Sequence, residues 1–471
     1  MGTSVVEAAD QFAKLPEELA VEILSRSAIT LNEAVRCSSL LGKRWRYMWQ
    51  LIDSPVLDFD KSDDDVTPES QRRFVDRVDQ AISWVQQSRT RLDGLKIGFK
   101  LYHMQEAGWR WIEFGFAERV KRLTLLSYFT HSWRDDLNGG IPVPLFTPDF
   151  LRTQNLSRLE VLEFQRLAAI PQGTLEHIFY YCPSLQRFSL TDCTFHGDDT
   201  VVRVYCPNNN NLQKLTFWFP IPDHGCRSID LFSAPGLHSL EVRTVSAEPA
   251  VLFPGDLPQL QELQLCYYGI GHTHQCFIPW SPTEFKLFAP RLQFLKYNMT
   301  TYQLPNQPLH VPEWLLFEKL TVLDLSIHIC TPVKFMLQCT ILLRAAPMLR
   351  RLSMTFENMM TLRGRIWEDR AEEEFPTWWK HRSLQVLQLH GVHPSDEGCP
   401  PDPRKLQMGV AACIIMASPL LNEVLVDTRN LKTNASREQQ RVDALISEAR
   451  IELETRLECH ASTSQIRFIY Q

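Results

Sequence analysis

The most regular feature of the chain is a hydrophobic pattern, L-x-x-L-x-L with other apolar residues standing in for leucine, that starts at Leu92 and recurs toward the C-terminal region. Copies begin at Leu92, Val120, Leu159, Leu185, Leu212, Leu237, Leu260, Leu292, Leu320, Leu349, Leu384 and Leu421, among them LEVLEF, LQELQL, LTVLDL and LQVLQL. Alternation of the last apolar positions predicts one short strand per copy, with side chains two residues apart on one face. Successive starts lie between 23 (Leu237 to Leu260) and 39 (Val120 to Leu159) residues apart, enough for a strand and a return segment. Such a unit cannot bury its apolar face alone, so the pattern predicts a stack in which each repeat covers the next.

Several return segments end in a proline just before the next strand, as at Cys182-Pro183, Ala234-Pro235, Ala346-Pro347 and Ser418-Pro419. Proline stops a helix there. Thr174 to Tyr181 and Val333 to Ala345 carry helical periodicity, whereas Pro220 to Cys226 is predicted to be irregular. The long gaps 126–158 and 363–380 are expected to be loops that pack onto the stack or reach for a partner.

Ahead of the repeats, residues 12–50 predict three short helices. Leu15-Pro16 opens the first, because proline tolerates the first helical position, and Leu19, Ile23 and Leu24 form its apolar face. Thr30 with Glu33 caps a second; Leu41, Trp45, Met48 and Trp49 stripe a third. Residues 51–91 follow as a strand-like Leu57 to Asp60, an acidic turn, and a helix near 69–88 with Phe74, Val78, Ile82 and Val85 on one face. The repeats occupy 92–430. Residues 431–471 predict a helix from Ser436 and a strand, Ile466 to Tyr470, that closes the stack.

The stretches LPEELAVEILSR and VRCSSLLGKRWRYMW resemble the F-box of plant F-box proteins with leucine-rich repeats, and residues 384–470 look like the FBD-type tail of some of them. The resemblance implies an α/β chain in which a three-helix F-box precedes an irregular leucine-rich-repeat solenoid, a horseshoe. It also implies a role as substrate receptor of a cullin-based SCF ubiquitin ligase, with Leu15, Pro16, Leu19, Ile23, Leu24, Val35 and Trp45 gripping a Skp-type adaptor. Where that family usually continues SRLP, this chain has Ser25-Arg26-Ser27-Ala28. An interaction scaffold that joins no ligase is therefore the alternative reading.

Composition narrows the choice of partner. The net charge of −6 and pI near 6.2 supply no overall basic field for nucleic acid or anionic membrane. No apolar run is long enough to span a bilayer and no leader is evident, so a cytoplasmic or nuclear location is expected, with reduced thiols. The twelve cysteines show no paired metal-ligand spacing. Asp58, Asp60, Ser62, Asp64 and Glu69 have EF-hand spacing, but Asp63 stands where glycine is needed; a polar linker explains them better. His272 to Cys276 lacks a second ligand pair. With no nucleophile elbow, Walker loop or dinucleotide fingerprint, neither catalysis nor a cofactor is expected.

A protein target is. In a stack of this kind the residue inside each L-x-L projects to the concave face. Thr124, Glu163, Ser189, Thr216, Glu241, Gln264, Lys296, Asp324, Ser353 and Gln388 should line it, and this mixed set is not the cationic floor a polyanion requires. The expected target contacts are Glu241, Gln264, Lys296, Asp324 and Ser353, in one row across central repeats, with Trp218 as an aromatic anchor.

Overall fold

The computed structural model describes residues 15–16, 18–19, 22, 56–60, 67–88, 91–100, 105–128, 141–142, 148–154, 156–168, 170–171, 173–195, 200–206, 209–219, 226–244, 250–252, 255, 257–267, 288–300, 316–328, 342–356, 380–390, 411, 414–427 and 466–470. It is an α/β chain of mostly parallel strands with few helices. Two compact units divide it, with the boundary running through residues 220–236.

The first unit opens on β1 (Val56–Asp60) and α1 (Pro68–Ser88), followed by β2 (Gly94–Lys100), α2 (Gln105–Ala117) and β3 (Arg122–Tyr128). Then come β4 (Ile141–Pro142), α3 (Pro148–Thr153), β5 (Val161–Gln165), β6 (Leu167–Ala168), α4 (Thr174–Tyr181), β7 (Arg187–Thr191), β8 (Thr200–Tyr205) and β9 (Lys214–Phe219). Strands β1, β2, β3, β5, β7 and β9 pair in that order, all parallel. Each paired strand from β2 onward is one copy of the leucine pattern, and its apolar positions, such as Leu123, Leu125, Leu162, Phe164, Phe188 and Leu190, are buried. Burying them removes roughly 1.5–3 kcal/mol of apolar hydration per side chain.

Helix α1 forms as its periodicity predicts, with Phe74, Val78, Ile82 and Val85 buried. Its Asp79 accepts from Arg110 (2.7 Å) and from Trp111 Nε1–H (2.8 Å) on α2, while Phe74 meets Phe59 and Trp111 edge-on. Asp58, the first position of the EF-hand spacing, lies on β1 and pairs with Lys96 at 3.0 Å.

The strand β10 (Cys226–Ser233) has residues assigned to both units. The second unit contains β11 (Ser239–Thr244), β12 (Ala250–Leu252), β13 (Glu262–Tyr267), β14 (Phe294–Thr300), β15 (Val322–His328), β16 (Arg351–Phe356), β17 (Val386–His390), β18 (Glu423–Asp427) and β19 (Arg467–Tyr470). All but β12 form a parallel series in chain order. β19 supplies the expected closing strand, pairing with β18.

Three expectations change in detail. The gap 126–158 holds β4 and α3 as well as unassigned chain. The return before β9 is the strand β8, because Val202 and Val204 alternate inward against Arg203 and Tyr205 outward, a period of two rather than 3.6. Helix α2, with Trp111 and Ile112 fully buried, was not anticipated. Of the helices predicted in 12–50, the described residues are Glu18, Leu19 and Glu22, which are helical, and Leu15 and Pro16, which are not; the rest, and the helix from Ser436, lie outside the described residues.

Candidate functional site

Because every repeat places the same pattern position opposite the same position of its neighbour, the L-x-L residues fall into rows. In the second unit the register joins Glu241 to Gln264, Gln264 to Lys296, Lys296 to Asp324, Asp324 to Ser353 and Ser353 to Gln388. The first unit has its own row: Asp58, Lys96, Thr124, Glu163, Ser189 and Thr216. Strands about 4.8 Å apart make each a line of side chains on the face turned away from the leucines. Trp218 lies half-buried on β9, two residues beyond Thr216 and on the same face; it belongs to the first unit, the other five predicted target contacts to the second.

The rows are more enclosed and more internally bonded than free strand faces. Thr124, Glu241 and Ser353 are each less than a tenth exposed. Glu241 pairs with Arg243 at 2.6 Å and Lys296 with Asp324 at 2.9 Å, and Thr124 donates to Glu163 at 3.1 Å. Arg351 holds the Gln388 carbonyl through two N–H groups at 2.7 and 3.0 Å. Asp324 keeps one buried carboxylate oxygen, Oδ1, without a hydrogen-bond partner among the described residues.

Of the adaptor-type positions, Leu15 is half-buried, Pro16 exposed, and Leu19 presents an apolar side chain 46% exposed. Ile23, Leu24, Val35 and Trp45 lie outside the described residues, as does His272 to Cys276. Among the described residues no group of three His, Cys, Asp or Glu is placed to hold a metal, and no helix is long and apolar enough to cross a membrane.

Two backbone-binding devices escaped sequence reasoning. Cys193 follows the L-x-x-L-x-L of Leu185 at the position where such repeats carry Asn or Cys. Its sulfur accepts the Leu167 N–H (3.4 Å), and its thiol lies within reach of the Thr191 and Phe164 carbonyls. Burial pushes the Cys182, Cys193 and Cys206 thiols up to about 12. The signal is present in the sequence, since Phe195 completes the longer pattern beyond its first six positions. Similarly, Asn209 and His381 each stand three residues before a repeat start. Asn209 donates to Cys182 O and Leu185 O and accepts the Asn211 N–H. His381 bonds Ala346 O through Nε2 (3.0 Å) and accepts the Ser383 and Leu384 N–H groups on Nδ1.

These features define a class: an α/β protein of stacked parallel strands, one per leucine-patterned repeat, with an extended row of polar side chains on the outer strand face. No family model matches the chain. It is similar to plant F-box proteins with leucine-rich repeats, among them three from Arabidopsis thaliana. An F-box/FBD/LRR-repeat protein is 23% identical over 226 residues, 45% of this chain and 46% of the relative. A putative F-box/FBD/LRR-repeat protein is 28% identical over 268 residues (56% and 48%), and an F-box/LRR-repeat protein 23% over 276 (54% and 81%). The chain spans about half the length of the first two.

Proposed function

We propose that this protein is a non-catalytic substrate receptor of an SCF-type cullin ubiquitin ligase. Residues 12–50 dock a Skp-type adaptor, the leucine-rich-repeat solenoid holds a target protein, and proximity to the charged ubiquitin carrier does the rest. A cytoplasmic or nuclear location goes with this role. The observation that carries the reading is the conjunction of F-box-like residues with a register that lines Glu241, Gln264, Lys296, Asp324 and Ser353 into one row. Repeat stacks bind proteins along such continuous faces.

The test is co-purification of adaptor and cullin with the wild type and with a Leu15→Ala, Pro16→Ala double variant. Capture lost in the variant supports the reading; adaptor binding that survives deletion of residues 12–50 rejects it. Ser27-Ala28, in place of the usual Leu-Pro, favours the second reading, an interaction scaffold outside any ligase. Restoring Leu-Pro separates the two, since a scaffold would gain adaptor affinity that a working receptor already has.

A further inference from the structure

The starts of the first-unit strands are basic although the chain as a whole is acidic, with a net charge of −6. Within two residues of each repeat's leading apolar position, the five repeats from Leu92 to Leu212 carry seven cations against three carboxylates, Asp93, Glu118 and Glu160. Asp93 is already committed, because it pairs with both Lys121 (2.8 Å) and Arg158 (3.4 Å). Arg91, Arg119, Arg122 and Arg187 are exposed, and none of the four forms an ion pair with a described residue. Register places Arg122, Val161, Arg187 and Lys214 side by side on β3, β5, β7 and β9.

We propose that this rim docks an acidic segment of a protein partner. Arg122 and Arg187 are two strand spacings apart, about 10 Å. An extended peptide advances about 3.3 Å per residue, so carboxylates three residues apart would meet both guanidiniums. Arginine's planar fork suits carboxylates in two-point contact, and unpaired exposed cations raise the encounter rate with an acidic chain. A nucleic acid is the poorer occupant. Asp93, Glu118 and Glu160 interrupt the row and repel a continuous phosphate backbone. The inference deepens the receptor reading, on which it rests for its biological role, by naming the chemistry of what the repeats hold.

The experiment measures fluorescence anisotropy of a fluorescein-labelled Gly/Ser peptide bearing glutamate at every third residue, titrated with the full chain. Binding that weakens with rising salt and falls about tenfold, or about 1.4 kcal/mol, in Arg122→Glu, Arg187→Glu supports the proposal. So does unchanged affinity in Lys319→Glu, an exposed cation at the start of a second-unit repeat. The milder pair Arg122→Gln, Arg187→Gln covers loss of folding in the reversal variant. Wild-type affinity in that folded Gln pair overturns the proposal, as does tighter binding of single-stranded RNA of equal charge. Adaptor capture is read on the same preparations, so its loss rejects the receptor role without touching the peptide result.

Discussion

Asp192 combines two unfavourable features at one residue. Its backbone is left-handed at φ 55, where asparagine is better tolerated than most residues, and its Oδ1 is buried without a hydrogen-bond partner. Burial raises its carboxyl above the usual range, partly opposed by Gln165 and Arg166. The folded state therefore holds its proton more tightly than the unfolded state. This contribution is fully present below the unfolded pKa near 4 and is lost as pH rises through the folded value. Asp192→Asn should stabilise the neutral-pH fold by about 1 kcal/mol, and the gain over wild type should vanish in acid, as read by urea unfolding at several pH values.

His381 has the opposite sign. Burial lowers its pKa, although the Ala346 carbonyl pulls it upward, and its Nδ1 already accepts two N–H groups. Its contribution is present above the unfolded value near 6.5 and is lost as pH falls through the lower folded value. His381→Asn, copying Asn209, should keep most of the stability while removing this dependence between neutral and mildly acid pH. An unchanged pH profile in that variant would refute the role given to the ring.

At the scale of elements, Asp93 shows how neighbouring repeats are tied. Its carboxylate, 8% exposed, meets Lys121 and Arg158 from the next two repeats, and its carbonyl accepts the Lys121 and Arg122 N–H groups. Asp93→Asn leaves the two cations facing each other with only a neutral amide between them. The expected loss is about 2 kcal/mol in denaturant unfolding, below the range for fully buried pairs because Lys121 and Arg158 are partly exposed.

Elements were legible in the sequence where one physical demand dominates. The leucine pattern marks the stacked strands because burial on one face leaves no other register, and the same logic places Glu241 through Ser353 in a row from the sequence alone. β8 was not legible as a strand because return segments answer to whatever the neighbouring repeat offers them. α2 was missed because Trp109, Trp111, Ile112, Phe114 and Phe116 crowd too much apolar surface together for a clean helical stripe, a pattern explained only by the burial of most of them. The pairing of row residues with one another could not be read either, since it depends on which strands adjoin.

For the whole molecule that pairing decides how target capture must be tested. A simple charge reversal at Asp324 would break its bond with Lys296 and confuse loss of fold with loss of recognition. The exchange Lys296→Asp, Asp324→Lys keeps an ion pair between the same two strands while inverting the polarity a partner meets. If the second-unit row holds the target, the exchanged protein should melt within a few degrees of wild type, capture adaptor normally, and lose at least about tenfold in target affinity. That loss is the size expected when a like charge replaces a complementary one at a part-buried contact. Targets for the measurement come from proximity labelling with residues 12–50 deleted, so that captured proteins are not degraded. Undiminished capture by a folded exchange variant would move the target contact off this row, and parallel capture by the folded Arg122→Gln, Arg187→Gln variant would show whether the basic rim of the first unit carries it instead.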